Sequence, residues 1–459
     1  MKSMKTKIII VLAVCSSLQY SCKKFFEIAP PKDSAVQAEL FANDAIATTA
    51  VTGIYSRMTL NGGYSGNQNS ISVITGLSSD ELRSHNSSLN AFYRNEVSVP
   101  DFILSQYLWS QSYAYIYTTN AVLEGLQAST GVSESTHGQL RGEALFVRAF
   151  CYFYLVNLFG DVPMHLTTDY RKNEVAVRTK KEEVYAQIIR DLQESERLLP
   201  TSYISSERIR PNKWAATAML ARVYLYTEKW DSAEQKAAEV INQTSTYGLL
   251  DNLDQVFLKN SKETIWQLMP TAGINTREGA LFVLVGTPTN VSLSSDLVSS
   301  FDVNDNRKAK WIGQFVNSSG TYFYPFKYKI RTTQNGVINE YSMVIRLAEL
   351  YLIRAEARAR LSKLELAMDD INLIRKRAGI TMPLKGLNYM ECLSEVERQR
   401  RFELFSEWGH RWLDLKRTDR ATAVLQPIKN PTWVETDVLY PIPFDEITRN
   451  PNMVQNVGY

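Results

Sequence analysis

The sequence predicts a mostly α-helical protein: a scaffold of tetratricopeptide-like helical hairpins with irregular loop insertions and a few short β-strands. Two observations carry that expectation. Apolar residues recur at helical spacing through most of the chain, in segments such as "ANDAIATTAVTGIYSRMTL", "QYLWSQSYAYIYTTNAVLEGLQ" and "GQLRGEALFVRAFCYFYLVNLFGDVPM". Two later stretches also share a pattern. In "WAATAMLARVYLYTEKWDSAEQKAAEVI", Ala221 precedes Ala233 by the interval that separates Ala355 from Ala367 in "RLAELYLIRAEARARLSKLELAMDDINLIRKRAG", and Val240 and Ile374 follow at matching apolar positions. Small residues there let two antiparallel helices approach closely, as stacked helical hairpins require.

At the N-terminus, Lys2, Lys5 and Lys7 precede a short apolar run over 8–18, and small polar residues follow. The run is too short to span a bilayer and reads as a secretory signal peptide over 1–21. Cleavage after Ser21 places Cys22 at the new N-terminus, where its thiol and amine can carry acyl chains. Several chains on one cysteine hold a protein on a membrane stably, whereas one holds it only reversibly. Cys22 is therefore the expected lipidation residue, 22–40 a lipid-anchored tether, and 41–459 the helical body.

Within the body, "NGGYSGNQNS" is rich in Gly, Asn and Ser and reads as an exposed loop. The helix over 146–159 is apolar on nearly every side, which implies burial, and Gly160, Asp161 and Pro163 make its continuation costly. From about 247 to 341 Gly, Asn, Ser and Thr rise. The runs "TIWQLM", "ALFVLVG" and "YFYPFKYKI" read there as short strands of an irregular insertion.

The whole chain has 51 basic and 48 acidic residues. Three lysines leave with the signal peptide, so the mature chain is formally neutral and has no basic excess for nucleic acid. Cys15 leaves as well. Cys151 and Cys392 do not form a disulfide framework and are expected as small apolar residues in helices. No other long apolar run follows the leader, so the body is expected to be soluble.

Phosphate-loop, dinucleotide, nucleophile-elbow, HExxH and CxxC motifs do not occur. Glu134 with His137 and Glu407 with His410 put a carboxylate and an imidazole on one helix face, as bundle di-iron sites do. The first pair lies in a polar helix start, however, and two further carboxylates from other helices would be needed. His85 and His165 have no ligand partner at a recognisable spacing. Neither a metal nor a cofactor is expected. The densest charge cluster, "EVERQRRFELFSEWGHRWLDLKRT", reads as helix-face ion pairs with aromatics packed inward. Each acid there has a base in reach and stays ionised, unlike a general acid, so no enzyme is expected.

Recognition by aromatic faces is the remaining lead, since Trp and Tyr stack on sugar rings or apolar peptide side chains while nearby polar groups set orientation. Residues on loops are the useful ones. That filter selects Tyr64, Asp80, Glu81, Trp311, Tyr322 and Tyr324 as candidate ligand-binding residues.

The segments "SCKKFFEIAPP", "RGEALFVRAFCYFYLVNLFGDVPM", "VIRLAELYLIRAEA", "ERQRRFELFSEWGHRWLDLKR" and "LYPIPFDEITRNPNMVQNVGY" occur in the order in which the chain resembles the SusD/RagB family of nutrient-binding outer-membrane lipoproteins of Bacteroidetes. The resemblance spans the mature chain. It implies a helical protein, lipid-anchored and displayed at the cell surface. Such a protein captures an oligosaccharide, or in some members a peptide, and delivers it to a SusC-like TonB-dependent transporter. A glycan-processing hydrolase is the more distant alternative. Binding residues of the family sit in divergent loops, so the six candidates rest on position and chemistry, not on motif.

Overall fold

The computed structural model describes residues 39–60, 62–270, 275–333 and 335–459. The expected signal peptide, Cys22 and nearly all of the tether lie outside them. Labelled in chain order, the longer helices are α1 (Asp44–Leu60), α2 (Ile71–Ser78), α3 (Gln111–Ala128), α4 (Glu134–Phe159), α5 (Lys181–Leu198), α6 (Lys213–Tyr226), α7 (Trp230–Ile241), α8 (Leu347–Arg360), α9 (Leu364–Arg377), α10 (Tyr389–Leu404) and α11 (His410–Arg417). From α3 to α9 each helix packs on the next, and α10 closes the row against α8 and α9. This is the stacked-hairpin scaffold that the alanine spacing predicts.

The centre is α4. From Leu140 onward almost every side chain is buried, including Phe146, Phe150, Cys151, Phe153 and Phe159. Each such aromatic contributes roughly 1.5–3 kcal/mol by leaving water, so this helix acts as the core's axis and not as a membrane span. Cys392 is likewise buried, in α10, and both cysteines are free.

Ala221, Ala233, Ala355 and Ala367 are fully buried where their hairpins close. The two hairpin turns have the same geometry. Glu228 and Ser362, each seven residues beyond its alanine, have left-handed backbones with φ of 56° and 60°. After Glu228, the Lys229 N–H reaches the Tyr224 carbonyl at 2.9 Å, and the Glu228 N–H reaches that of Leu225 at 3.3 Å. After Ser362 the equivalent bonds run from Lys363 to Arg358 and from Ser362 to Ala359, at 2.8 and 3.0 Å. This is the Schellman closure, which satisfies helix-end carbonyls and favours glycine at the left-handed position. Neither turn has glycine there.

Six strands in the described residues have three or more residues: β1 (Leu82–Ser84), β2 (Thr264–Leu268), β3 (Val291–Leu293), β4 (Ile312–Asn317), β5 (Gly320–Pro325) and β6 (Ser342–Arg346). They form antiparallel pairs β1–β3, β2–β6 and β4–β5. Of the runs read as strands, "TIWQL" is β2 and "YFYP" ends β5. "ALFVLVG" is instead the end of a short helix, Arg277–Phe282, followed by coil. That helix starts at Thr276, whose hydroxyl caps the Gly279 N–H at 3.0 Å. A local cap overrides the β-branched run that follows it.

The charge cluster of α10 and α11 forms an ion-pair network. Arg346, at the end of β6, donates to Glu403 at 2.6 Å and to Glu407 at 2.8 Å. Arg307 reaches Asp305 at 2.7 Å and Glu403 at 3.3 Å, and Arg377 bridges Glu263 and Glu403. Three guanidiniums hold the Glu403 carboxyl far below the usual range despite its burial. The network fastens the insertion to the helical scaffold. Within it His410 is buried, with Glu349 4.0 Å away, and His137 lies in the first turn of α4.

Candidate functional site

Five of the six sequence candidates are buried. Tyr64 is 1% exposed; its hydroxyl shares a 2.8 Å hydrogen bond with Ser112, and its ring packs among Tyr115, Phe150 and Tyr154. The surrounding "NGGYSGNQNS" is mostly buried too, against the exposed loop expected from its composition. Its glycines serve close approach: a Cβ on Gly63 would lie 2.1 Å from the Tyr107 carbonyl oxygen, and one on Gly66 2.3 Å from the Glu278 side chain. Glycine here admits other parts of the fold rather than marking solvent.

Asp80 is held by Arg411 at 2.8 and 3.0 Å and by Arg401 at 2.8 Å, and those cations keep its carboxyl below the usual range against the effect of burial. Glu81 accepts the Ser406 N–H at 3.0 Å. Trp311 is fully buried, donates its indole N–H to the Leu253 carbonyl at 3.1 Å, and has Lys327, Arg346 and Arg377 around its ring at 5.0–5.8 Å. It belongs to the ion-pair network and not to a surface platform. Tyr324 lies over Gly313, where a Cβ would come within 2.2 Å of its ring, and meets Phe326 edge to face. Each of these five is packed inside the fold, which corrects the exposed-loop reading that selected them.

Tyr322 is different. It is half-buried on β5, beside its cross-strand partner Phe315, and its ring meets His85 edge to face with centroids 5.7 Å apart. His85 extends the β1–β3 ribbon: its N–H bonds the Asn290 carbonyl at 2.7 Å and its Nε2 shares a 2.9 Å bond with the Ser292 hydroxyl. Leu82 pairs with Leu293 on the core side, so alternation sends Arg83, opposite Ser292, and His85 to the other side. Arg83 and His85 are exposed. Burial and the neighbouring Arg83 hold the imidazole below its usual 6.5, which leaves it neutral at pH 7.

Around this face runs a rim of amides and hydroxyls. Asn86 donates to the Asn290 side chain at 3.1 Å and accepts from the Ser88 N–H and hydroxyl, and Asn317 donates to the Thr287 hydroxyl at 2.8 Å. A flat aromatic edge, a neutral imidazole, a guanidinium and paired amides suit hydrogen bonding to hydroxyl-rich ligands. Of the sequence candidates Tyr322 lies on this face, and Arg83, His85, Asn86 and Asn290, which lie with it, were not among them. The period-two alternation of "LRSH", just after the two candidate acids, was the available signal.

A separate groove of about 1150 Å³ runs between Asn157, Arg178, Tyr185, Tyr226, Lys416 and Asp419. It contains none of the sequence candidates, and its two tyrosines pack against the core.

The chain was compared with known proteins. One family profile, described as starch-binding and associating with the outer membrane, matches residues 24–225; a second, described as the SusD family, matches residues 298–459. The SusD-like protein P25 of Formosa agariphila is 26% identical over 99% of this chain and all of its own length. The starch-binding protein SusD of Bacteroides thetaiotaomicron is 25% identical over 73% of this chain and 75% of its own. Among solved structures, a SusD superfamily protein from Bacteroides vulgatus superposes with a TM-score of 0.79 at 22% identity, covering 91% of this chain and 99% of that one. A protein described as a laminarin-binding SusD-like protein gives 0.77 at 23% identity, covering 91% and 100%. With both halves of the sequence matched and the helical scaffold shared, the chain belongs to the SusD/RagB family of outer-membrane-associated, carbohydrate-binding proteins.

Proposed function

We propose that this protein is a lipid-anchored capture protein that binds an oligosaccharide on the Tyr322–His85 face and delivers it to a SusC-like TonB-dependent transporter. The observation that carries the reading is the half-buried Tyr322 ring set against a neutral imidazole inside an amide and hydroxyl rim. The ring offers area to sugar C–H faces, and the rim offers donors and acceptors to hydroxyls. Acylated Cys22 would hold the chain at the outer membrane. The segments that build the face, residues 82–95, 279–295 and 306–339, contain no Asp or Glu, so they supply neither member of a glycosidase carboxylate pair. That supports capture without hydrolysis.

Calorimetry with oligosaccharides and with tripeptides, on the wild type and on Tyr322→Ala, tests the reading. Glycan binding that weakens about tenfold in the variant, as loss of an aromatic contact and its excluded water implies, with an unchanged melting temperature, is the expected result. Binding of peptides alone, or glycan affinity indifferent to Tyr322, refutes it.

A further inference from the structure

Resting on that glycan-binding reading, we propose that the face selects an anionic sugar, one carrying a carboxylate or a sulfate ester, through Arg83. Three observations lead there. Arg83 is exposed on the same side of the ribbon as His85, whose ring meets Tyr322, and forms no ion pair among the described residues. The three segments that build the face contain no acid in 14, 17 and 34 consecutive residues, in a chain with 48 acids in 459. The acids bordering those segments are engaged elsewhere: Asp80 and Asp296 on Arg401, Asp302 on Arg398, Asp305 on Arg307, and Glu340 on the Lys329 and Ile330 N–H groups.

Of the third segment's cations, Arg307 is buried on Asp305, and Lys308 and Arg331 lie outside the ribbon that carries His85. Lys310 and Lys329 face Asp254, and Lys327 is buried on Glu407. Arg83 presents an uncompensated guanidinium on the side of the ribbon that carries His85, the residue that meets Tyr322. A planar fork of donors matches a carboxylate or sulfate bidentately, which an ammonium does not. A neutral sugar gains only ordinary hydrogen bonds from that group, whereas an acidic one gains a stronger charge-assisted pair at the edge of its stacking site.

The test titrates the full chain and Arg83→Gln with three probes: tri-galacturonate, sulfated κ-carrageenan oligosaccharides and neutral laminari-oligosaccharides. An anionic probe is expected to bind more tightly than the neutral one. Arg83→Gln should lose about tenfold for that probe, clearly more than it loses for the neutral glycan, while its circular dichroism stays unchanged. Added salt should weaken the anionic probe alone, because screening acts on the charge pair. Whichever anionic probe binds more tightly identifies carboxylate or sulfate as the source. Neutral glycan bound as tightly as both anionic probes, or anionic affinity indifferent to Arg83, overturns the inference while leaving glycan capture standing. No binding of any probe overturns both.

Discussion

Replacing Glu81 with Gln separates the support of the face from the face itself. Glu81 is 3% exposed, one oxygen accepts the Ser406 N–H at 3.0 Å, and the other is buried without a partner. Its backbone carbonyl accepts the Ser294 N–H at 2.8 Å, so it anchors the start of β1 beside β3. Burial pushes the carboxyl up from 4.5 to about 7, with the nearby Asp80 charge acting in the same direction, while the Ser406 N–H, Arg411 and Lys327 oppose it. An unfolded chain ionises this group near 4.5, whereas the folded chain keeps its proton until about 7. Between those values the folded state binds more protons, so stability falls as pH rises through the window and levels off above it. At about 1.4 kcal/mol per pH unit the gap corresponds to roughly 3 kcal/mol. Gln is neutral at every pH, nearly isosteric, and keeps an acceptor for Ser406. Urea unfolding of both proteins from pH 4.5 to 8.5 should therefore show similar stability at the acid end and the variant ahead by about 2–3 kcal/mol at the basic end. Taking the difference between the two proteins cancels every other titrating group. A difference that stays constant across the range would refute the buried, protonated carboxyl.

Two further outcomes follow from the scaffold. Ser362→Gly removes a side chain from a left-handed turn and should raise stability by about 0.5–1 kcal/mol in the same assay, the gain in the turn being partly offset by a freer unfolded chain. Glu403→Gln leaves Arg307, Arg346 and Arg377 facing an amide and should cost about 3–5 kcal/mol. A loss under 1 kcal/mol would show that those guanidiniums are solvated by some other route.

The helical hairpins were legible because their signal is local. Ala221, Ala233, Ala355 and Ala367 sit at intervals that close helix pairs explain, whereas Glu403 and Glu407, expected to pair along their own helix face, pair instead with Arg307, Lys327, Arg346 and Arg377 from distant segments. The site was legible only in part. Tyr322 was grouped with Trp311 and Tyr324, although the three occupy, in turn, an open face, a buried ion network and a glycine-backed pocket within fourteen residues of sequence.

By itself, then, the sequence determined which segments coil into helices and where those helices approach closely, because periods of 3.6 and 2 are written into consecutive residues. Tertiary structure decided which loops meet water. The glycines around Tyr64 admit Tyr107 and Glu278 from distant segments, and Asp80 is covered by Arg401 and Arg411 from more than three hundred residues away. Arg83 forms no ion pair among the described residues, whereas Asp296, Asp302 and Asp305 are each taken up by another arginine. Exposure depends on what the rest of the chain folds over a residue, and no local pattern encodes that.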